Sequence, residues 1–201
     1  MKRAKKGTYG YIRYEKIKRG AVTVIMFAIP LILYFTAVNH FGSNRNIFTI
    51  VAVLGLIPAA KFSVDWIMIL MQKSAPEKIV ALTEEKAGSL TRGYELVVTA
   101  YEGRMPLDAV VVCGNDAACF SSQGEKDKFA FMEKHISGIL NANGYYSVNV
   151  KIFNEERMYA ERIGQFAAKP EMFRENAPSG EDEDPKQREE MILYVIKRIS
   201  L

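Results

Sequence analysis

Two apolar stretches, residues 20–41 and 47–71, leave this chain few ways to fold. The first contains no Asp, Glu, Lys or Arg and matches the roughly 20 residues with which a helix crosses a bilayer core. The second carries Lys61 and Asp65, so it reads as a second span with one polar interruption. Gly42-Ser43-Asn44-Arg45-Asn46 between them has turn composition and is too short for anything but a helical hairpin. Hydrocarbon offers the backbone no hydrogen bonds, so helices are expected across both stretches. A transmembrane hairpin is therefore expected over residues 20–72.

Residues 1–19 form a basic arm that sets the expected orientation. Lys2, Arg3, Lys5, Lys6, Arg13, Lys16, Lys18 and Arg19 stand against Glu15 alone, while the turn holds only Arg45. Cationic flanks stay on the cytoplasmic side. The sequence thus predicts an integral membrane protein, of the plasma membrane if the cell is bacterial, with the N-terminus and everything after Gln72 in the cytoplasm. A signal peptide is the rival reading. It fits less well, because the run exceeds an h-region, lacks a small-residue cleavage site and is followed by a second span. Tyr9, Tyr11, Ile12 and Tyr14 interleave the cations, a mixture suited to anionic phospholipid headgroups. A disordered topology signal is the plainer alternative, and either one brings the arm to the bilayer.

The 27 basic and 23 acidic residues divide unevenly. With the arm's eight cations and Glu15, Arg45, and the Lys61 and Asp65 pair set aside, 17 basic and 21 acidic residues remain from Lys73 onward, a net −4. That excludes a broadly basic nucleic-acid-binding surface on the segment after the hairpin, so no nucleic-acid partner is expected. Cys113 and Cys119 have neither zinc nor CxxC spacing and read as packing residues of a reducing compartment.

Within the second span, Lys61 and Asp65 share a helix face at i, i+4. They read either as an ion or proton path, or as a tilted helix whose Lys61 snorkels to the headgroups and pairs with Asp65, with Trp66 at the interface. The second reading is the expected one, since two helices enclose no pore unless several copies assemble. Pro30 and Pro58 are expected to kink the spans, and Gly55 with Ala59 offers a small face for close helix approach.

Residues 73–168 read as a cytoplasmic domain. Ile79, Leu82, Ala87 and Leu90 space a helix over 77–90, and residues 94–101 are rich in strand formers. The apolar run 107–113 predicts a central strand covered on both faces. Gly114-Asn115-Asp116 then turns the chain into a returning strand at 117–122. A helix over 125–142 follows, with Phe129, Met132, Ile136, Ile139 and Leu140 in period. A strand is expected at 146–153 and a helix at 155–168 carrying Tyr159, Ile163 and Phe166. Residues 169–185 read as an acidic linker. Residues 186–201 read as an amphipathic helix whose Ile192, Val195, Ile196 and Ile199 require an apolar partner, their own domain or another chain. The fold class is α+β or α/β: a hairpin, an α-β-β-β-α-β-α domain in two or three layers, and a C-terminal helix.

The α-β-β-β-α-β order over residues 77–153 resembles the core of restriction-endonuclease-like nucleases. Leu107-Asp108-Ala109-Val110-Val111-Val112, a turn, and Cys119-Phe120-Ser121-Ser122-Gln123 look like the hairpin of nuclease-related (NERD-type) domains. The resemblance implies a metal-binding Asp on the first of these strands, matched by Asp108, and Glu-x-Lys on the second. Here Ser121 stands where the Glu belongs and Gln123 where the Lys belongs, removing a ligand and a charge that metal-assisted phosphodiester cleavage requires. Glu85 and Lys151 are the residues that could replace them. No GxxxxGK[ST], HExxH or GxSxG occurs, and no cofactor is expected. Two functions follow. One is a non-catalytic interaction or regulatory module held at the membrane, its sheet face or last helix binding a protein partner or a second copy. The other is a membrane-tethered, metal-dependent nuclease or phosphodiesterase using Asp108, Glu85 and Lys151.

Overall fold

The computed structural model describes residues 4–43, 46–101, 103–175 and 184–201. Two compact units emerge. One is Ile12–Lys73; the other joins Met1–Tyr11 to Ser74–Leu201.

The first unit is a helical hairpin of α1 (Tyr11–Phe41) and α2 (Ile47–Leu70). Helix α1 starts at Tyr11 rather than Gly20, so the second half of the basic arm continues the apolar helix. Glu15 supports that extension, binding Lys18 at 3.0 Å and Arg19 at 2.9 Å one turn ahead. Asn46 caps α2 by accepting the Thr49 N–H at 2.9 Å. The helices meet through small residues: Thr23, Pro30 and Ala37 on α1 and Ala52 and Ala59 on α2 are buried. At Gly55 an added Cβ would stand 3.2 Å from the Pro30 Cβ, tighter than ordinary van der Waals contact, so a larger residue would require the neighbour to give by a few tenths of an ångström. The large residues point out, with Ile32 65% and Ile57 67% exposed. Only 17% and 11% of the most apolar windows of α1 and α2 are buried within the protein. Such surfaces do not belong to core helices of a water-soluble fold. Both helices are long and apolar enough to cross a membrane.

The second unit is built on a four-stranded mixed sheet in the order β1-β2-β3-β4. The strands are β1 (Thr91–Ala100), β2 (Gly103–Cys113), β3 (Asp116–Phe120) and β4 (Asn149–Phe153). The first three form an antiparallel meander, and β4 runs parallel to β3 after a helical crossover. Gly114, at φ 58, opens the two-residue β2–β3 turn, and a Cβ there would also strike the Phe173 carbonyl. Helices α3 (Glu77–Ala87) and α5 (Glu156–Ala168) cover one face, burying Ile79, Tyr159, Ile163 and Phe166 against Ala109, Val111 and Phe120. Helices α4 (Phe129–Ala142) and α7 (Pro185–Ile199) cover the other, burying Met132, Ile136, Leu140, Ile192 and Ile196 against Leu96, Leu107, Val110 and Val112. The domain is thus three-layered. The near-continuous apolar run of β2 reflects burial on both faces.

Several local expectations are corrected. Helix α3 stops at Gly88, and strand β1 begins at Thr91, before the expected residue 94; it runs through Gly93, where a Cβ would come within 3.0 Å of Leu193, so the glycine admits α7. The 169–185 segment is not all linker, because Pro170–Glu175 forms a short helix, α6, whose Phe173 packs edge-on to Phe166 at 4.9 Å. The rest of the acidic stretch, residues 176–183, lies outside the described residues. Helix α7 docks on its own domain.

Candidate functional site

The strand register fixes the neighbours of Asp108 at its end of the sheet. Ala109 pairs with Phe120, and Tyr94 and Leu96 on β1 pair with Ala109 and Leu107. Asp108 therefore faces Glu95 on one side and Ser121 on the other. Glu95 takes φ 54, and at this point the chain switches faces, with Tyr94 packed in one core and Leu96 in the other. A positive φ at a non-glycine residue within a strand is a strained feature. Asp108 and Glu95 are each 2% exposed. Burial pushes the Asp108 carboxyl above its ordinary range; hydrogen bonding from Ser122 opposes this, and the Glu95 carboxylate adds to it.

This end is closed by its own polar groups. The Ser122 N–H donates to Asp108 Oδ2 at 2.6 Å, the Ser121 hydroxyl donates to the Pro106 carbonyl, and the Gly124 N–H donates to Ser121 Oγ at 2.9 Å. The other two residues proposed for a nuclease centre are engaged elsewhere. Glu85 is an exposed α3 residue beside Lys86, and Lys151 pairs with Glu133 of α4 at 3.3 Å. Glu133 also accepts the Ile152 N–H at 2.8 Å, which blunts the open edge of β4. A divalent cation requires several converging oxygen ligands. These donors do not fit one, and among the described residues no group of three or more His, Cys, Asp or Glu could hold a metal. Both thiols are buried, and desolvation pushes Cys113 and Cys119 up to about 12, which makes them unreactive.

A second polar centre, not visible in the sequence, joins α7 to the sheet. Glu189 is fully buried, although Glu189-Glu190 looks like a solvated helix face. Its carboxylate accepts the Gly114 N–H at 2.9 Å, the Thr91 hydroxyl at 3.1 Å and the Arg174 Nε–H at 2.9 Å. Neighbouring Arg188 donates to Asn115 Oδ1 at 3.3 Å and lies over the Tyr145 ring.

The outer edge of β1 receives both ends of the chain. The Tyr94 N–H donates to the Gly7 carbonyl at 2.9 Å, the Leu201 N–H donates to the Val97 carbonyl at 2.9 Å, and Lys6 Nζ donates to the Ser200 carbonyl. The first part of the basic arm thus lies against the domain, with Lys5 exposed and Lys6 committed; Lys2 and Arg3 are outside the described residues.

In the hairpin, no ion pair joins Lys61 to Asp65 among the described residues, which corrects the expected pairing of the two. The Asp65 carbonyl instead receives Arg19 at 3.5 Å, and the Trp66 indole N–H donates to the Lys16 carbonyl at 3.0 Å. Arg13, Lys16, Lys18 and Arg19 all lie on the first turns of α1, with Arg13 and Lys18 exposed. Compared with family models, curated proteins and solved structures, the chain matches none.

Proposed function

We propose that this chain is a membrane-anchored interaction or regulatory module, without catalytic activity, acting at the cytoplasmic face of the bilayer. The carrying observation is the closed end of the sheet. The one carboxylate that fits the nuclease pattern is buried and capped by Ser122, and the candidate cation Lys151 is taken by Glu133. The large apolar residues turned outward on α1 and α2 support insertion as a hairpin. The hydrogen bond from Tyr94 to Gly7 supports the orientation, because it requires the start of the chain and the domain to share one side of the membrane. The eight-to-one charge excess of the arm makes that side cytoplasmic.

Both sheet faces and the apolar stripe of α7 are used internally. Another protein or a second copy must therefore be met through the domain's outer helix surfaces or through the hairpin. The test is the full-length chain, reconstituted and supplied with Mg²⁺ or Mn²⁺ and DNA or RNA. No cleavage is expected, whereas cleavage that vanishes in Asp108→Ala would replace this reading with the tethered nuclease. Crosslinking in native membranes would then identify the partner.

A further inference from the structure

At the basic end of the hairpin, Glu15, Lys18, Arg19, Val22, Phe62 and Asp65 line an open recess of about 380 Å³. We propose that it binds the headgroup of a zwitterionic phospholipid bearing a primary amine, with Lys18 and Arg19 on the phosphate and Asp65 on the ammonium. The proposal rests on the membrane reading above and adds to it a ligand class and a site.

The recess holds two cations and two carboxylates, but these do not neutralise one another evenly. Glu15 is buried, and its two oxygens are each taken, one by Lys18 and one by Arg19. It positions the cations and is then spent. Lys18 Nζ keeps further protons to donate, and among the described residues the Arg19 guanidinium makes one further, long hydrogen bond, to the Asp65 carbonyl. The Asp65 carboxylate joins no ion pair among the described residues, although two cations line the same recess. Donors for a phosphate and an acceptor for an ammonium thus stand side by side.

The depth is also right. The recess lies just before the charge-free run that begins at Gly20, at the level where Trp66 bonds the α1 backbone, and Val22 and Phe62 continue it toward the apolar surface. A simple anion would meet Glu15 and Asp65, and a simple cation would meet Lys18 and Arg19; a zwitterion complements both. Among zwitterionic headgroups, a primary ammonium can donate to Asp65, whereas a trimethylated one has no N–H to give.

Trp66, the only tryptophan in the chain, adjoins Asp65 and reports on the site. The full-length protein is reconstituted in phosphatidylcholine bilayers containing, at equal mole fraction, brominated phosphatidylethanolamine, phosphatidylcholine or phosphatidylglycerol, and Trp66 quenching is measured. Phosphatidylethanolamine is expected to be preferred by about three- to tenfold, the worth of one partly solvated charge-assisted hydrogen bond. In Asp65→Asn that preference should fall to parity with phosphatidylcholine while quenching itself persists. Equal quenching by all three lipids, a preference for phosphatidylglycerol, or a preference that survives Asp65→Asn would overturn the assignment. Reversal by millimolar soluble phosphoethanolamine would overturn the lipid as occupant. Absence of quenching by every lipid would instead overturn the membrane reading itself.

Discussion

The hairpin and the domain use the same amino acids in opposite ways. In the domain, Leu96, Val110, Ile136 and Ile192 are buried at the centre, and most charges lie outside, with Glu95, Asp108, Arg188 and Glu189 the buried exceptions. In the hairpin the seam is made of Gly55, Ala52, Ala59 and Thr23, while Ile29, Ile32, Ile50 and Ile57 face outward. Burial of large apolar groups drives folding only where the alternative is water. Where the surroundings are themselves hydrocarbon, close packing of small residues and hydrogen bonds such as Thr23 Oγ1 to the Phe62 carbonyl, at 3.1 Å, hold the helices together. The two parts are packed by different rules, and substitutions of similar chemistry should have different consequences in them.

The largest effect is expected at Glu189. Replacing it by Ala leaves Arg174, the Gly114 N–H and the Thr91 hydroxyl without their shared acceptor, and should destabilise the domain by about 3 kcal/mol. The loss should register as a lower midpoint for exposure of the Cys113 and Cys119 thiols during chemical unfolding. A comparable penalty is expected at a position that contacts little within the protein. Ile57 is 67% exposed, so in water Ile57→Asp would be harmless, but in a bilayer it should cost about 3 kcal/mol. Membrane-fraction abundance should fall, and an unchanged level would place that face in water.

A smaller effect of opposite sign is expected at Asp108. Its carboxyl is pushed above the ordinary 3.8, so its contribution is fully favourable only below that value and is lost as pH rises through the raised folded value. Asp108→Asn removes the ionisation and keeps an acceptor for the Ser122 N–H. It should stabilise the domain at pH 7, with the gain shrinking toward zero as pH falls below the ordinary value. Thermal unfolding followed by circular dichroism across that pH range gives the comparison. A variant less stable than the native chain at neutral pH would mean that the charged carboxylate is itself stabilising.

The hairpin was legible because a long charge-free run allows little else, and the strand order was legible because 107–113 is apolar on both faces. The remainder depends on partners distant in sequence. Glu189 becomes a core residue only because Thr91, Gly114 and Arg174 converge on it, and nothing beside it in the chain marks that. Gly93 gives room to Leu193 of α7, a role that only this partner, distant in sequence, reveals. Lys61 and Asp65 have the spacing of a helical ion pair, yet they do not form one; Arg19, from the other helix, reaches the Asp65 carbonyl instead. The three residues proposed as a nuclease centre share a fold segment but not a cleft, since spacing along strands fixes register and leaves open which neighbour claims each charge.

Cysteine labelling in cells separates the two sides of the membrane directly. Ser43, in the hairpin turn, and Tyr101, fully exposed at the end of β1, accept cysteine without disturbing packing, and the native thiols are buried and unreactive. With a membrane-impermeant maleimide, Ser43→Cys should label on intact cells, and Tyr101→Cys only after permeabilisation. Labelling of Tyr101→Cys on intact cells, or protection of Ser43→Cys there, would contradict a hairpin whose turn lies outside and whose domain lies in the cytoplasm.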